Sequence, residues 1–183
     1  MSLYKHWLLK WVNMKHFLFL TVISLLIWSC QEQKDFSTVD PVNWKKRAIK
    51  DASVLDSLEQ GTTYLSVYSE IYSLSEHRTH DLTATISLRN THRSDSVFLT
   101  KAEYFNTEGD LIRTYFTDPI YLKPMETVEI VIDEIDKEGG TGGNFIFDWV
   151  VQPNSSEPLF EAVMISTSGQ QGLSFTTVGK RLK

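Results

Sequence analysis

The stretch E-G-G-T-G-G-N-F-I-F-D-W, residues 138–149, decides how this chain is read. Four glycines, Gly139, Gly140, Gly142 and Gly143, run straight into an apolar alternation at Phe145, Phe147 and Trp149. Alternation with a period of two marks a strand that buries one face. Glycine loses more conformational freedom on ordering than any other residue, so a run of it is kept where the backbone must turn or be approached closely. The stretch is therefore a loop feeding a strand. A phosphate-binding loop, G-x-x-x-x-G-K-[ST], instead opens a helix whose N–H groups face the phosphates. Here the lysine is missing and a strand follows, and a dinucleotide fingerprint fails for the same reason. Two uses of the glycines remain: a turn that requires positive φ, or close backbone approach to a ligand or partner.

Working outward, residues 63–72 (TYLSVYSEIY) alternate, and residues 82–88 (LTATISL) do so more cleanly, with Leu82, Ala84, Ile86 and Leu88 inward. Residues 97–105 form the next strand, and the five residues 106–110, with Gly109, suit a hairpin loop. Strands are also expected at 111–116, 127–132, 144–151, 159–167 and 173–178. About eight strands at close spacing with no helix between them predict an all-β fold, an immunoglobulin-like antiparallel β-sandwich of about 7–8 strands. Before it, Asn43 caps a short helix or linker over 43–60, where Trp44, Ala48, Ala52 and Leu55 fall at helical spacing and Gly61 closes the segment. Lys45, Lys46 and Arg47 crowd its first turn, where the helix dipole disfavours cations.

The first 29 residues differ in kind. They hold three lysines, no carboxylate, and an apolar run from Phe17 to Trp28 broken only by Thr21 and Ser24. About a dozen residues is short of the roughly 20 that span a bilayer and suits a secretory signal. Met14-Lys15 begins a complete signal by itself, so translation is expected to start at Met1 or Met14. Ile27-Trp28-Ser29-Cys30 resembles a bacterial lipobox, and Cys30, the only cysteine, is the expected lipidation site. Residues 30–42 then read as a solvated tether and 61–183 as the sandwich domain. Acyl chains on Cys30 would hold the protein at a membrane of the bacterial cell envelope, periplasmic or surface-facing.

Removing residues 1–29 leaves 15 Lys/Arg against 23 Asp/Glu, a net charge of −8. That balance argues against nucleic acid, which is bound by neutralising phosphates, and equally against a polybasic membrane patch, so the anchor rather than the domain surface is expected to do the membrane binding. His77 and His80 in E-H-R-T-H-D have a spacing that brings two imidazoles near one metal only if the fold adds a third ligand, with His92 the remaining mature histidine. A solvated loop is the simpler reading of that segment. The nucleophile turn G-x-S-x-G is absent around Ser168, and the adjacent acids Asp133 and Glu134 would point to opposite faces of a strand. Tyr64, Tyr68 and Tyr72 form a stripe suited to packing under a loop or to stacking on a ligand.

The order of Y-L-S-V-Y-S-E-I-Y (64–72), L-T-A-T-I-S-L-R-N-T (82–91), Y-F-N-T-E-G-D-L-I-R-T-Y (104–115), the glycine loop and E-A-V-M-I-S-T-S-G-Q-Q-G-L-S-F (161–175) resembles the bacterial family known as domain of unknown function 3124, over about residues 61–183. The resemblance implies small exported or lipoprotein-like proteins and supplies no catalytic residue. The expectation is a non-enzymatic envelope protein without cofactor or metal, which binds an envelope protein or polysaccharide. Its expected contact residues are Gly139, Gly140, Thr141, Gly142, Gly143, Asn144, Gln170 and Gln171. The alternative is a small envelope hydrolase or metal-dependent enzyme using His77, His80, His92 and neighbouring acids.

Overall fold

The structure, a computed structural model, describes residues 42–167 and 172–182. In chain order the strands are β1 (Glu59–Ser66), β2 (Glu70–Ser73), β3 (Ser75–Asp81), β4 (Thr83–Arg89), β5 (Val97–Phe105) and β6 (Leu111–Thr114). They continue with β7 (Ile120–Leu122), β8 (Thr127–Ile132), β9 (Asn144–Val151), β10 (Leu159–Ser166), β11 (Leu173–Val178) and β12 (Lys180–Arg181). One sheet has the order β12-β1-β9-β5-β6, with β7 also on β5, and the other the order β11-β10-β4-β8. A separate ribbon pairs β2 with β3. Every pairing is antiparallel. Among the described residues no helix is long and apolar enough to cross a membrane.

The expected all-β sandwich is present. Its centre has the immunoglobulin arrangement: β4 and β8 are neighbours in one sheet, β5 and β9 in the other, and the chain crosses from β4 to β5 and again from β8 to β9. The flanks depart from that arrangement. The first strand, β1, lies beside β9, and the late strand β10 lies beside β4. An immunoglobulin domain places its first and last strands the other way round.

The core follows from the alternation. Leu82, Ala84, Ile86 and Leu88 have no exposed surface, and Phe145, Phe147 and Trp149 are buried to within 1%. Rings from both sheets stack in sequence: Tyr104 on Phe145 at 4.7 Å, Phe145 on Phe147 at 5.3 Å, and Phe147 on Phe160 at 4.3 Å with only 3° between planes. Trp149 takes the next inward position, and there Gly61 is its pairing partner on β1. A Cβ at Gly61 would lie 2.2 Å from the indole, so only glycine lets the ring lie flat on that strand. Indole Nε1 donates to Thr63 Oγ1 at 2.9 Å, and the Arg181 guanidinium sits over the ring at 5.3 Å.

Four expectations are corrected. The helix over 43–60 is reduced to two separate turns, α1 (Trp44–Arg47), capped by Asn43 as expected, with its side chain accepting from the Lys46 N–H at 3.1 Å, and a 3₁₀ turn at Ala52–Leu55. Ala48 is already extended and bridges Ile120, and the Ile49 N–H donates to the Pro119 carbonyl at 2.8 Å. No acid balances the cations in that turn, and pairing with the sheet edge outcompetes propagation of the helix. Gly61 does not close a helix; it lies inside β1 beneath Trp149. Residues 63–72 are not one strand either, because the chain leaves the sheet after Ser66 and re-enters as β2. Finally, residues 75–81 are not a loop but β3, tied to β2 in part by Thr79 Oγ1 donating to Glu70 at 2.8 Å.

Phe147→Ala should cost about 3–5 kcal/mol of unfolding free energy, since it cuts the ring stack at its centre. Tyr64→Ala, on the outward face of β1, should cost well under half as much. Chemical denaturation of the two variants measures the contrast.

Candidate functional site

β8 ends at Ile132, and residues 133–138 wind into the glycine loop through side-chain turns. Asp133 accepts from the Ile135 N–H at 3.1 Å and Asp136 from the Glu138 N–H at 3.3 Å. Asp133 and Glu134 therefore lie in a turn, past the strand that was expected to split them between faces. Gly140, Thr141 and Gly142 make a 3₁₀ turn, and of the loop glycines only Gly140 has positive φ, +64°.

Two of the other glycines, Gly139 and Gly143, are required by the protein's own chain, whereas a Cβ at Gly142 would meet only Thr107, with its methyl at 3.3 Å. A Cβ on Gly139 would sit 1.8 Å from the Tyr104 hydroxyl, and one on Gly143 would sit 2.9 Å from the Gly139 carbonyl. The loop's carbonyls are occupied as well: Gly143 accepts from the Val67 N–H (2.9 Å), Gly140 from the Ser69 N–H (3.1 Å), and Gly139 from Thr107 Oγ1 (3.0 Å). Thr107 Oγ1 in turn accepts the Gly142 N–H at 3.0 Å. Ser69 passes the linkage on, its carbonyl taking the Leu82 N–H at 2.9 Å and its hydroxyl meeting that of Tyr104 at 2.9 Å. Burial pushes the Tyr104 hydroxyl up to about 12, so it stays a neutral donor and acceptor at physiological pH.

Of the residues singled out in the sequence, Gly139 and Gly143 are buried, while Gly140, Thr141, Gly142 and Asn144 are half-buried. Thr141 Oγ1 reaches the Tyr72 hydroxyl at 3.4 Å, and Asn144 opens β9 between Ser66 and Phe105. Cys30, Ser168, Gln170 and Gln171 lie outside the described residues. The strand ends that flank residues 168–171, Ser166 and Leu173, pair with each other at the end of the sandwich where β4 begins. Leu82, just before β4, is hydrogen-bonded to Ser69 and so through it to the glycine loop.

The histidines do not converge. His77 falls in the irregular stretch of β3 between the paired residues Ser75 and Thr79 and is largely exposed, whereas His80 is half-buried and pairs with Ile71 of β2. His92 stands beyond the far end of β4, roughly 20 Å away at about 3.3 Å per residue, with Nδ1 accepting the Asp95 N–H. Among the described residues no three or more His, Cys, Asp or Glu side chains are grouped to hold a metal ion. The tyrosine stripe is also broken up: Tyr68 packs edge-on against Phe175 at 5.7 Å, whereas Tyr72, beyond the break, is 61% exposed.

Two features of this end were not read from the sequence. Leu74, at the tip between β2 and β3, is 93% exposed and has φ +65°, and Ile135, in the loop after β8, is 78% exposed. Their only signal is a lone aliphatic residue among polar ones, S-L-S and E-I-D. Around them, residues 70–81, 108–113 and 133–138 carry nine carboxylates against three Lys/Arg. Two of the cations are engaged: Lys137 Nζ lies 2.8 Å from Asp81, which raises its pKa, and Arg113 lies 3.1 Å from Asp136 and 3.4 Å from Glu138. The end is thus an acidic rim with aliphatic points.

The family model described as Protein of unknown function (DUF3124) matches residues 60–182. No curated protein and no solved structure matches the chain.

Gly139→Ala should destabilise the fold by about 1–3 kcal/mol through overpacking on Tyr104. Tyr104→Phe alone should cost about 1 kcal/mol for the lost hydrogen bond. In a double-mutant cycle by denaturation, Gly139→Ala should cost less in the Tyr104→Phe background, because the nearest clashing atom is gone.

Proposed function

The chain belongs to the DUF3124 family, and from that premise we propose that it is a bacterial envelope lipoprotein, anchored through acylated Cys30, whose sandwich is a non-enzymatic binding module. Leu74 carries this reading. A left-handed backbone costs an ordinary L-residue roughly 1–2 kcal/mol, and a 93% exposed leucine recovers none of it by burial. Glycine or asparagine would serve the turn better if folding were the only demand. A partner that covers Leu74 gives the side chain a use, with Tyr72 and Ile135 exposed on the same end of the domain.

The bound class is an envelope protein rather than a polysaccharide, because sugars are held chiefly on aromatic faces and the most exposed apolar points here are aliphatic. The surrounding carboxylates favour a partner with cationic groups. The glycine loop acts indirectly: it fixes the base of the β2–β3 ribbon and holds Thr141 near Tyr72.

The test is photo-cross-linking in intact cells, with p-benzoylphenylalanine replacing Tyr72 or, as a control, the exposed Thr176 of β11. The reading predicts a discrete adduct from position 72 that is absent from position 176 and disappears when Leu74→Asp is added. Equal adducts from both positions, or an adduct indifferent to Leu74→Asp, would contradict it.

A further inference from the structure

The net charge of −8 is an average over unequal parts of the domain. Residues 42–50 hold four cations, Lys45, Lys46, Arg47 and Lys50, and no carboxylate. From Ala48 onward the segment lies away from the glycine loop: Ala48 bridges β7, which pairs with the opening residues of β5, whereas the glycine loop meets the closing residues of β5. Trp44, at its start, packs on Tyr115, whose ring also carries Arg113 of the acidic rim. Arg47 alone of the four is spent on an ion pair, with Glu126 at 2.8 Å, which holds that carboxyl below its usual range. Lys45, Lys46 and Lys50 are exposed. Glu126 belongs to the β7–β8 turn, where Met125 is 64% exposed at φ +60°, and the Met125 N–H donates to the His92 carbonyl, which brings the loop of Arg93 alongside.

Trp44 opens this segment. It is half-buried, packed at 5.3 Å on Phe116 and at 6.3 Å on Tyr115, and it lines a cleft of about 520 Å³ with Val42, Lys45, Ala48, Tyr115 and Phe116. Two nearby acids temper the patch without cancelling it. Asp118 is on the cleft's other lip, and Asp51 is turned toward the Ser53 N–H and hydroxyl.

We infer that this cap, Trp44 with Lys45, Lys46 and Lys50, is a foot that docks on anionic phospholipid headgroups. The inference rests on the reading of Cys30 as the anchor. Eleven residues separate Cys30 from Val42, a reach of at most about 40 Å at roughly 3.5 Å per residue, so an acylated Cys30 keeps the cap within range of the bilayer. Lysine ammonium groups are drawn to the negative surface of an anionic leaflet, and an indole with one polar edge partitions to the headgroup level. The acidic, Leu74-bearing end is repelled by the same surface, so the foot would turn the recognition end outward.

The mature chain offers a direct probe, because it keeps only two tryptophans, Trp44 and the buried Trp149. The full mature lipoprotein is reconstituted in phosphatidylcholine vesicles with or without phosphatidylglycerol, each doped with brominated phosphatidylcholine. Flotation and the mass of the Cys30 peptide report anchoring, and tryptophan fluorescence reports contact. The expected result is quenching that is at least doubled by phosphatidylglycerol and lost in Trp44→Phe. It should also be lost in the triple variant Lys45→Glu, Lys46→Glu, Lys50→Glu, and in 1 M salt, where the screening length falls to about 3 Å. A protein that floats but whose quenching ignores lipid charge overturns the foot and leaves the anchor standing. An unacylated Cys30 overturns the anchor, and the foot with it.

Discussion

The inward row of β9 is the constraint on which the rest of this domain depends. Phe145 and Phe147 continue the ring stack from Tyr104 of one sheet to Phe160 of the other, and Trp149 lies on a strand that offers no side chain at Gly61. Because the three residues share one face of one strand, their positions fix the register of β1 and β5 on either side. Tyr104 ends the stack at the edge of the core, and its hydroxyl must find a partner there. Ser69 supplies it. The space in front of that pair is closed by Gly139, the one residue type that fits. The glycine loop is in this sense the lid of the ring stack.

This arrangement separates what is built from what is offered. The loop backbone is consumed by Val67, Ser69 and Thr107, and the side chains left outward at this end are Leu74, Tyr72, Ile135 and a rim of acids. Cations gather beside the segment through which the chain enters the domain. One molecule with an acidic end and a basic entry segment suits a protein that faces a membrane with one side and a partner with the other.

Much of the fold was legible in the amino-acid order, and the reasons differ by element. Where a strand has one buried face, its alternation marks it to the residue, as at β5, β8 and β9, whose bounds are those expected. The break after Ser66 was not legible because Val67 and Ile71 continue the alternation, while the bonds that pull the chain out of the sheet come from Gly140 and Gly143, more than 70 residues away in sequence. β3 carries no apolar stripe and forms through its partner β2. At α1 the cap was legible at Asn43, but the stop was not, since it depends on Ala48 meeting Ile120. At the candidate site, the glycine run announced a constrained backbone without saying what pressed on it. Tyr104, Ser69 and Thr107 all come from other segments, and Leu74 and Ile135 follow no period that a pattern search could detect.

The central claim, that the glycine loop is part of the folded core rather than a free recognition loop, is tested most directly by native-state hydrogen exchange. The amide protons of Val67, Ser69 and Leu82 are bonded to Gly143, Gly140 and Ser69. The account predicts that they exchange only through global unfolding, with the same free energy and denaturant dependence as the amides of β9. Exchange of these three through local opening, well below the stability of β9, would contradict it.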